Sequence, residues 1–362
     1  MAILLVCLGL AILTAGAEVL VRGATGLARA IGLPSLIIGL TVVAYGTSAP
    51  ELAVSVKSSF GGQADIALGN VLGSNTFNIL FILGLSALIK PLKASAQLVR
   101  LDVPVMIGVS VLAWLMAANG TIGRAEGIIL CLGAIAYTTL LVYLGKRRPR
   151  PQTPDDSSAT SAAVNPQRLW ISIGQVMVGF GLLVLGARWL VDGAVDLSRM
   201  FGVSELMIGC TIIAAGTSLP ELATSVVACL RGERDLAVGN VVGSNIFNIL
   251  AVMGAGAAVS PAGLAVAPEA LRFDIPVAVA VAGACLPIFF TGGRISRGEG
   301  ALFLVYYGAY ITFLVLAATK HPALPSFTAA VIWFVIPLSA LGVAFSVMHW
   351  MANKRMKDRN LV

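Results

Sequence analysis

The sequence predicts an all-α polytopic membrane protein with ten core transmembrane helices in two inverted five-helix repeats, plus one extra C-terminal helix. The composition, a series of long apolar stretches and an internal repeat support this prediction. Of the 362 residues, 58% are hydrophobic and 11% are charged, whereas about 25% of residues are charged in soluble domains. The lipid bilayer is therefore the expected surroundings of most of the chain.

Eleven apolar stretches follow one another along the chain, and each can cross the roughly 30 Å hydrocarbon layer as a helix of about 20 residues. The first lacks a basic flank and is predicted to be retained rather than cleaved as a signal peptide. The stretches cover residues 2–22, 34–56, 66–89, 102–119, 125–145, 169–190, 204–229, 236–258, 272–291, 299–318 and 326–350.

A polar segment at residues 146–168, rich in proline, serine and charge, divides the chain after five spans and is predicted to be a flexible cytoplasmic linker. The predicted units are therefore a first five-helix repeat (1–145), the linker (146–168), a second five-helix repeat (169–319), and the extra helix with a basic cytoplasmic tail (320–362). The eleventh span has no counterpart in the first half of the chain.

The basic residues indicate the orientation, because Lys and Arg accumulate in cytoplasmic loops. Most of the 24 face the cytoplasm if the N-terminus lies outside and the C-terminus inside. The net charge of +7 then follows from topology, with a weak attraction to anionic membrane lipid. We expect no nucleic-acid partner and no obligate protein partner. The five cysteines have no paired spacing, so neither a disulfide framework nor a zinc site is indicated.

The internal repeat has an offset of 170 positions. GLTVVAYGTSAPELAVSV at 39–56 recurs as GCTIIAAGTSLPELATSV at 209–226, and GNVLGSNTFNIL at 69–80 recurs as GNVVGSNIFNIL at 239–250. A repeat of five spans has an odd number of crossings, so the second copy must insert upside down. Transporters of this plan bind their substrate near the midplane, between the repeats.

Two carboxylates, Glu51 and Glu221, lie well inside predicted spans. A charge at this depth costs about 2.5–3.5 kcal/mol or more, which makes a functional role the default interpretation. A buried salt bridge is the alternative, but no Lys or Arg lies mid-span to pair with either residue. A bound cation would neutralise both carboxylates.

Neighbouring residues add further oxygen atoms. Pro50 and Pro220 have no amide proton, so each leaves a carbonyl one turn earlier without its helical donor. The hydroxyls of Thr47, Ser48, Thr217 and Ser218 are candidate ligands, or they bond back to their own helix. Hard cations such as Ca²⁺ take six to eight oxygens of these kinds.

The second motif places Ser74 and Asn78, and likewise Ser244 and Asn248, four residues apart on one helix face. Its glycines form GxxxG pairs that favour close helix packing. The other motif asparagines are either ligands or interhelical hydrogen-bonding residues, and the sequence does not separate these two roles; they are Asn70, Asn75, Asn240 and Asn245.

The duplicated GTSxPE and GSNxFNI motifs resemble the α1 and α2 repeats of the cation/calcium exchanger superfamily, bacterial sodium/calcium exchanger type. The resemblance covers both five-span halves. It implies an antiporter that exchanges Ca²⁺ for Na⁺ by alternating access, with no cofactor. The ligands it implies are Thr47, Ser48, Glu51, Ser74, Asn78, Thr217, Ser218, Glu221, Ser244 and Asn248, plus the carbonyls of Ala44 and Ala214.

The alternatives to this function are a Ca²⁺/H⁺ antiporter, a passive cation channel and an intramembrane enzyme, and K⁺ co-transport is a variant of it. Some members of the superfamily carry aspartate where this chain has Asn248, which argues against K⁺ co-transport here. A Ca²⁺/H⁺ antiporter is the main alternative, although the glutamate of the proton-coupled GNxxE motif is absent. A passive channel is disfavoured by the inverted repeat. An intramembrane enzyme is disfavoured because the two histidines, His321 and His349, lie in or near the unpaired C-terminal region. A prokaryotic inner membrane is the expected location.

Overall fold

The computed structural model describes residues 1–147, 166–203, 205–208, 211–212, 214–290, 293–335 and 337. The first half contains helices α1 (Ala2–Ile31), α2 (Ser35–Ile38), α3 (Ala44–Thr47), α4 (Ala49–Phe60), α5 (Ala64–Phe77), α6 (Gly84–Ile89), α7 (Val103–Ala117) and α8 (Arg124–Arg147). Wider π-helical turns join or extend these helices at Gly39–Val43, Asn78–Leu83 and Leu98–Asp102, and β1 (Leu92–Lys93) and β2 (Thr121–Ile122) are short strands.

The second half repeats this order. It contains α9 (Pro166–Met200), α10 (Glu205–Ile208), α11 (Ala214–Gly216), α12 (Leu219–Leu230), α13 (Arg234–Phe247), α14 (Gly254–Val259), α15 (Ile275–Phe290) and α16 (Arg297–Ala318), then α17 (Leu324–Ala330). Its π-helical turns lie at Asn248–Met253, Ala270–Asp274 and Val331–Val335, and its strands are β3 (Leu264–Ala265) and β4 (Arg294–Ile295).

Eight helices in the described residues are long and apolar enough to cross a membrane, or nine if the bent pair Ser35–Thr47 and Ala49–Phe60 is one span. The protein is therefore an all-helical integral membrane protein, as predicted. The count is lower than the eleven predicted spans for two reasons. The span at 204–229 is described only in short pieces, and most of the span at 326–350 lies outside the described residues.

The second span breaks at Ser48, where its two parts meet at an angle of 46°. Ser48 has φ −84° and ψ 8°, and Ser218 has nearly the same conformation, with φ −91° and ψ 8°. Pro50 and Pro220 then lie in the first turns of α4 and α12, where a missing amide proton is tolerated. A glutamate directly follows each proline, so the position of each break determines the position of the carboxylate along its span.

The two longest helices, α1 and α9, pack against each other through glycines spaced seven residues apart. Gly9, Gly16 and Gly23 of α1 face α9, and Gly179, Gly186 and Gly193 of α9 face α1. A methyl group added at Gly179 would lie 2.7 Å from the backbone nitrogen of Leu20. The helix backbones therefore touch directly.

The GxxxG packing hypothesis holds for one copy of the motif. A methyl group added at Gly239 would lie 2.7 Å from the carbonyl oxygen of Leu36, and one added at Gly243 would lie 2.7 Å from Leu40 Cα. Gly69, the equivalent of Gly239, is exposed instead. No described residue lies within 4 Å of a methyl group added at Gly69, so close packing is not found there among the described residues.

Two short strand pairs connect the halves. β1 of the first half pairs antiparallel with β4 of the second, with Leu92 opposite Ile295, and β2 pairs antiparallel with β3, with Ile122 opposite Leu264. All four of these apolar residues are buried. Each half therefore contributes one strand to each pair.

Candidate cation site

Glu51 and Glu221 are completely buried, each in the first turn of the helix that follows a break. Acidic side chains are favoured at helix N-termini because unpaired backbone amides and the helix dipole give this end a partial positive charge. Neither glutamate forms a salt bridge within the described part of the chain. The salt-bridge alternative is therefore not supported by the described contacts.

Each glutamate accepts a hydrogen bond from a serine of the other half. Ser48 Oγ donates to Glu221 Oε1 at 2.9 Å, and Ser218 Oγ lies 3.0 Å from Glu51 Oε1 and 3.0 Å from Ser74 Oγ. These contacts bring both broken helices and α5 to one place. Two copies of a motif that lie 170 positions apart in the sequence thus form a single cluster.

Asn70 and Asn240 each form hydrogen bonds to the backbone of one of the two glutamates. The side-chain nitrogen of Asn70 donates to the Glu51 carbonyl at 3.1 Å and to Ser55 Oγ at 2.9 Å. The equivalent nitrogen of Asn240 donates to the Glu221 carbonyl at 3.3 Å and to Ser225 Oγ at 2.9 Å. Both asparagines therefore support the glutamate backbone of their own half.

The threonine hydroxyls have two kinds of contact. Thr47 Oγ1 lies 3.1 Å from the Val43 carbonyl and 3.2 Å from Asn240 Oδ1. Thr217 Oγ1 donates to Asn70 Oδ1 at 3.3 Å. The bond from Thr47 to the Val43 carbonyl is the back-bonding role that the sequence left open for these hydroxyls. The hydroxyls of Ser48 and Ser218 instead bond to a glutamate of the other half.

Asn75 and Asn245 pair across the halves. The side-chain nitrogen of Asn75 donates to the Asn245 carbonyl at 3.1 Å, and that of Asn245 donates to the Asn75 carbonyl at 3.3 Å. Their side-chain oxygens accept from Asn248 and Asn78, at 3.1 Å and 3.0 Å. Asn78 and Asn248 each begin a π-helical turn, a feature that is frequent at functional sites.

Several buried oxygens in this cluster have no hydrogen-bond partner among the described residues. Buried polar atoms are normally paired, so each such atom needs an explanation. The atoms are Glu51 Oε2, Glu221 Oε2, Asn78 Oδ1, Asn248 Oδ1 and Ser244 Oγ. Carboxylate, amide and hydroxyl oxygens of this kind match what a hard cation requires.

The carbonyls of Ala44 and Ala214 are less clearly placed. The Ala44 carbonyl accepts the Ser48 amide at 3.0 Å and lies 3.3 Å from Thr47 Oγ1. Ala214 begins α11, and the Ser218 amide bonds instead to the Ala215 carbonyl at 3.2 Å. The two breaks therefore differ in the backbone bond that precedes the glutamate.

The sequence indicates this cluster but does not assign a role to the four other asparagines of the motifs. The structure gives them hydrogen bonds to backbone carbonyls, serines and other asparagines. Only their spacing within the repeat could have singled them out, because an asparagine ligand and a bonding asparagine look alike in sequence. Glu18 was also missed: it forms ion pairs with Arg22 on α1 and with Arg231 after α12.

Residues 1–143 and 171–316 match the family described as sodium/calcium exchanger protein. The chain belongs to this sodium/calcium exchanger family. CaxA of Alkalimonas amylolytica is 41% identical to it over 85% of this chain and 97% of its own length. Sodium/calcium exchanger MaX1 of Methanosarcina acetivorans is 31% identical over 86% of this chain and 97% of its own.

A solved structure of a sodium-calcium exchanger has the same fold as this protein. It is the sodium-calcium exchanger NCX_Mj soaked with Na⁺ and Sr²⁺, with a TM-score of 0.74 and 30% identity, covering 86% of this chain and 97% of that one. MaX1 and NCX_Mj are both named as exchangers. The family is thus one of transporters rather than enzymes.

Proposed function

We propose that this protein is a secondary active antiporter that exchanges Ca²⁺ for Na⁺ by alternating access, with the ions bound between its two halves. The main support is the pair of buried glutamates. Each has one oxygen held by a serine of the other half and a second oxygen without a partner among the described residues. The proposed ligands are the twelve residues named from the sequence.

The charge of the site fits these ions. Two carboxylates with no basic side chain bonded to them in the described residues carry a charge of about −2, which one Ca²⁺ or two Na⁺ would neutralise. Asn78 and Asn248 add oxygen without charge. Because both ions would use the same oxygens, they compete, and competition is a sufficient physical basis for exchange.

The proposed topology is that of two inverted five-helix repeats, with the N-terminus outside and the C-terminus in the cytoplasm. The reciprocal strand pairs support this arrangement, since β1 and β4 both fall in predicted cytoplasmic loops and β2 and β3 both fall in predicted outer loops. We place the protein in a prokaryotic inner membrane. The similar protein YrbG of Escherichia coli, 36% identical over 88% of this chain and 98% of its own, is named an inner membrane protein.

A Ca²⁺/H⁺ antiporter is the second candidate. Desolvation disfavours the charged form of a carboxylate, and both glutamates are completely buried. Protons could then compete with Ca²⁺ at the same two residues. A passive channel fits less well, because it would require a continuous path rather than a buried site.

The test is calcium uptake by inside-out membrane vesicles. Vesicles containing the protein are loaded with Na⁺ and diluted into Na⁺-free medium with radioactive calcium at fixed pH. The wild type is compared with Glu51→Gln and Glu221→Gln, and with Asp65→Asn, which alters an exposed carboxylate. We expect uptake to require the outward Na⁺ gradient, to disappear in both glutamine variants and to persist in Asp65→Asn.

Other outcomes would reject specific parts of the proposal. Uptake that follows an imposed pH gradient and ignores Na⁺ would favour the proton-coupled antiporter. Uptake that needs neither gradient would indicate a channel. Full uptake in both glutamine variants would refute the assigned site.

A further inference from the structure

The four asparagines of the two GSN motifs form a reciprocal hydrogen-bond network between the halves. Asn75 and Asn245 contact each other's backbone, and their side-chain oxygens accept from Asn248 and Asn78. Asn75, Asn245, Asn78 and Asn248 are all buried. Bulk solvent therefore has little access to these amides.

The Asn245 carbonyl fixes the orientation of the Asn75 amide group. A backbone carbonyl can only accept a hydrogen bond, so the Asn75 side-chain atom 3.1 Å from it must be the nitrogen. The Asn75 oxygen then points the other way, towards Asn248. Because this oxygen can only accept, the Asn248 atom 3.1 Å away must also be a nitrogen.

The same reasoning applies to the other half. The Asn75 carbonyl, 3.3 Å from the side-chain nitrogen of Asn245, fixes that amide group. The Asn245 oxygen then faces the nitrogen of Asn78 at 3.0 Å. The oxygens left over, Asn78 Oδ1 and Asn248 Oδ1, are the ones that have no partner among the described residues.

We propose that Asn75 and Asn245 are positioning residues: Asn75 orients the amide of Asn248, and Asn245 orients that of Asn78, so that both amides present oxygen rather than nitrogen to the cation. This inference rests on the proposed function, since it assumes that Asn78 and Asn248 are ligands. It assigns each half control over a ligand of the other half.

The network also explains why an amide suits positions 78 and 248. An ionised carboxylate at 248 would place an oxygen against the oxygen of Asn75, two acceptors with no proton between them, so an aspartate there would keep this bond only in its protonated form. Rotating the Asn75 amide to relieve this contact would instead place its oxygen against the Asn245 carbonyl. The bonding pattern thus selects a hydrogen-bond donor at both positions and keeps the charge of the site at that of its two glutamates.

The test is a double-mutant cycle on calcium affinity. Equilibrium binding of radioactive calcium to the purified full-length protein is measured for Asn75→Leu, Asn248→Ala and Asn78→Ala, and for the two double variants that contain Asn75→Leu. Ser110→Ala is the matched control, because Ser110 is buried and, among the described residues, its hydroxyl bonds to the Met106 carbonyl of its own helix alone. Binding requires no turnover, so variants that cannot transport can still be compared.

We expect Asn75→Leu to raise the Kd for Ca²⁺ about tenfold, the effect of losing one polar contact. Residues that act through one another are non-additive. In the Asn248→Ala background, adding Asn75→Leu should therefore leave the Kd unchanged. In the Asn78→Ala background, adding Asn75→Leu should still raise the Kd about tenfold. Ser110→Ala should bind like the wild type.

Equal increases in both alanine backgrounds would overturn the proposal, because they would mean that Asn75 acts through general packing. An unchanged Kd in Asn75→Leu would also overturn it. If Asn75→Leu does not accumulate in membranes, Asn75→Ser and the mirror cycle of Asn245 with Asn78 apply the same criteria. Failure of the assumed calcium site would be distinct, since the wild type itself would then bind no calcium, and failure of Na⁺ coupling would show in the vesicle assay and leave this binding cycle unchanged.

Discussion

Ser48 donates a hydrogen bond to Oε1 of Glu221 at 2.9 Å, although the two residues belong to different halves of the chain. The bond leaves the second oxygen of Glu221 free of partners among the described residues. One serine therefore holds the carboxylate in place while the other carboxylate oxygen is available to a cation.

Replacing Ser48 by alanine should weaken calcium transport through affinity. A hydrogen bond to a charged group contributes about 1.5–3 kcal/mol, so the apparent KM for Ca²⁺ should rise roughly tenfold or more. Uptake into vesicles at varied calcium concentration measures this. The control is Ser59→Ala, since the hydroxyl of buried Ser59 on α4 bonds to the Ser55 carbonyl and to no other described residue. An unchanged KM for Ser48→Ala would contradict the prediction.

Alanine at Gly179 should destabilise the protein. The added methyl group would lie 2.7 Å from the Leu20 backbone nitrogen, and such overpacking costs about 1–3 kcal/mol. Thermal unfolding of the purified protein should show a lower midpoint. Gly181→Ala, on the exposed side of the same helix, is the control and should unfold like the wild type. Equal midpoints for the two variants would show that α1 and α9 separate easily.

Alanine at Gly239 should be more harmful than alanine at Gly69, although the two positions are equivalent in the repeat. Gly239 is buried against Leu36, so the variant must shift a helix, again at about 1–3 kcal/mol. Gly69 is exposed. Thermal midpoints and membrane yields of the two variants should therefore differ, and similar losses in both would reject the asymmetry.

The ion pair between Glu18 and Arg231 should contribute little to stability. Both side chains are about one-third exposed, at 32% and 36%, and pairs of this kind contribute about 0.2–1 kcal/mol. A double-mutant cycle of Glu18→Gln and Arg231→Gln on thermal unfolding measures the coupling. A coupling near zero is compatible with this range, whereas one of several kcal/mol would show that the pair holds α1 against the core.

Structure could be predicted from the sequence best where a residue type has a single physical consequence. Pro50 cannot donate a backbone hydrogen bond, so a break beside Glu51 was predictable, and the helix bends at Ser48. The duplicated motifs likewise indicated that the two glutamates lie together, and the structure joins them through Ser48 and Ser218.

Contacts that depend on packing between distant helices were not predictable. Gly69 and Gly239 occupy the same place in the motif, yet described residues cover Gly239 and not Gly69, because coverage depends on how the other half packs. The roles of Asn75 and Asn245 were also open, since the same side chain can bind an ion or a neighbouring amide. Glu18 and Arg231 lie too far apart in the chain for any spacing rule to pair them.

The reciprocal strand pairs have a consequence for how such a protein could arise. β1 pairs with β4, and their repeat equivalents β3 and β2 pair with each other, so the two strand pairs are made of equivalent strands with the halves exchanged. Under the proposed inverted topology, two separate half-length chains inserted in opposite orientations could form the same contacts as a dimer. Covalent connection of the halves would then fix their ratio at one to one without creating the interface.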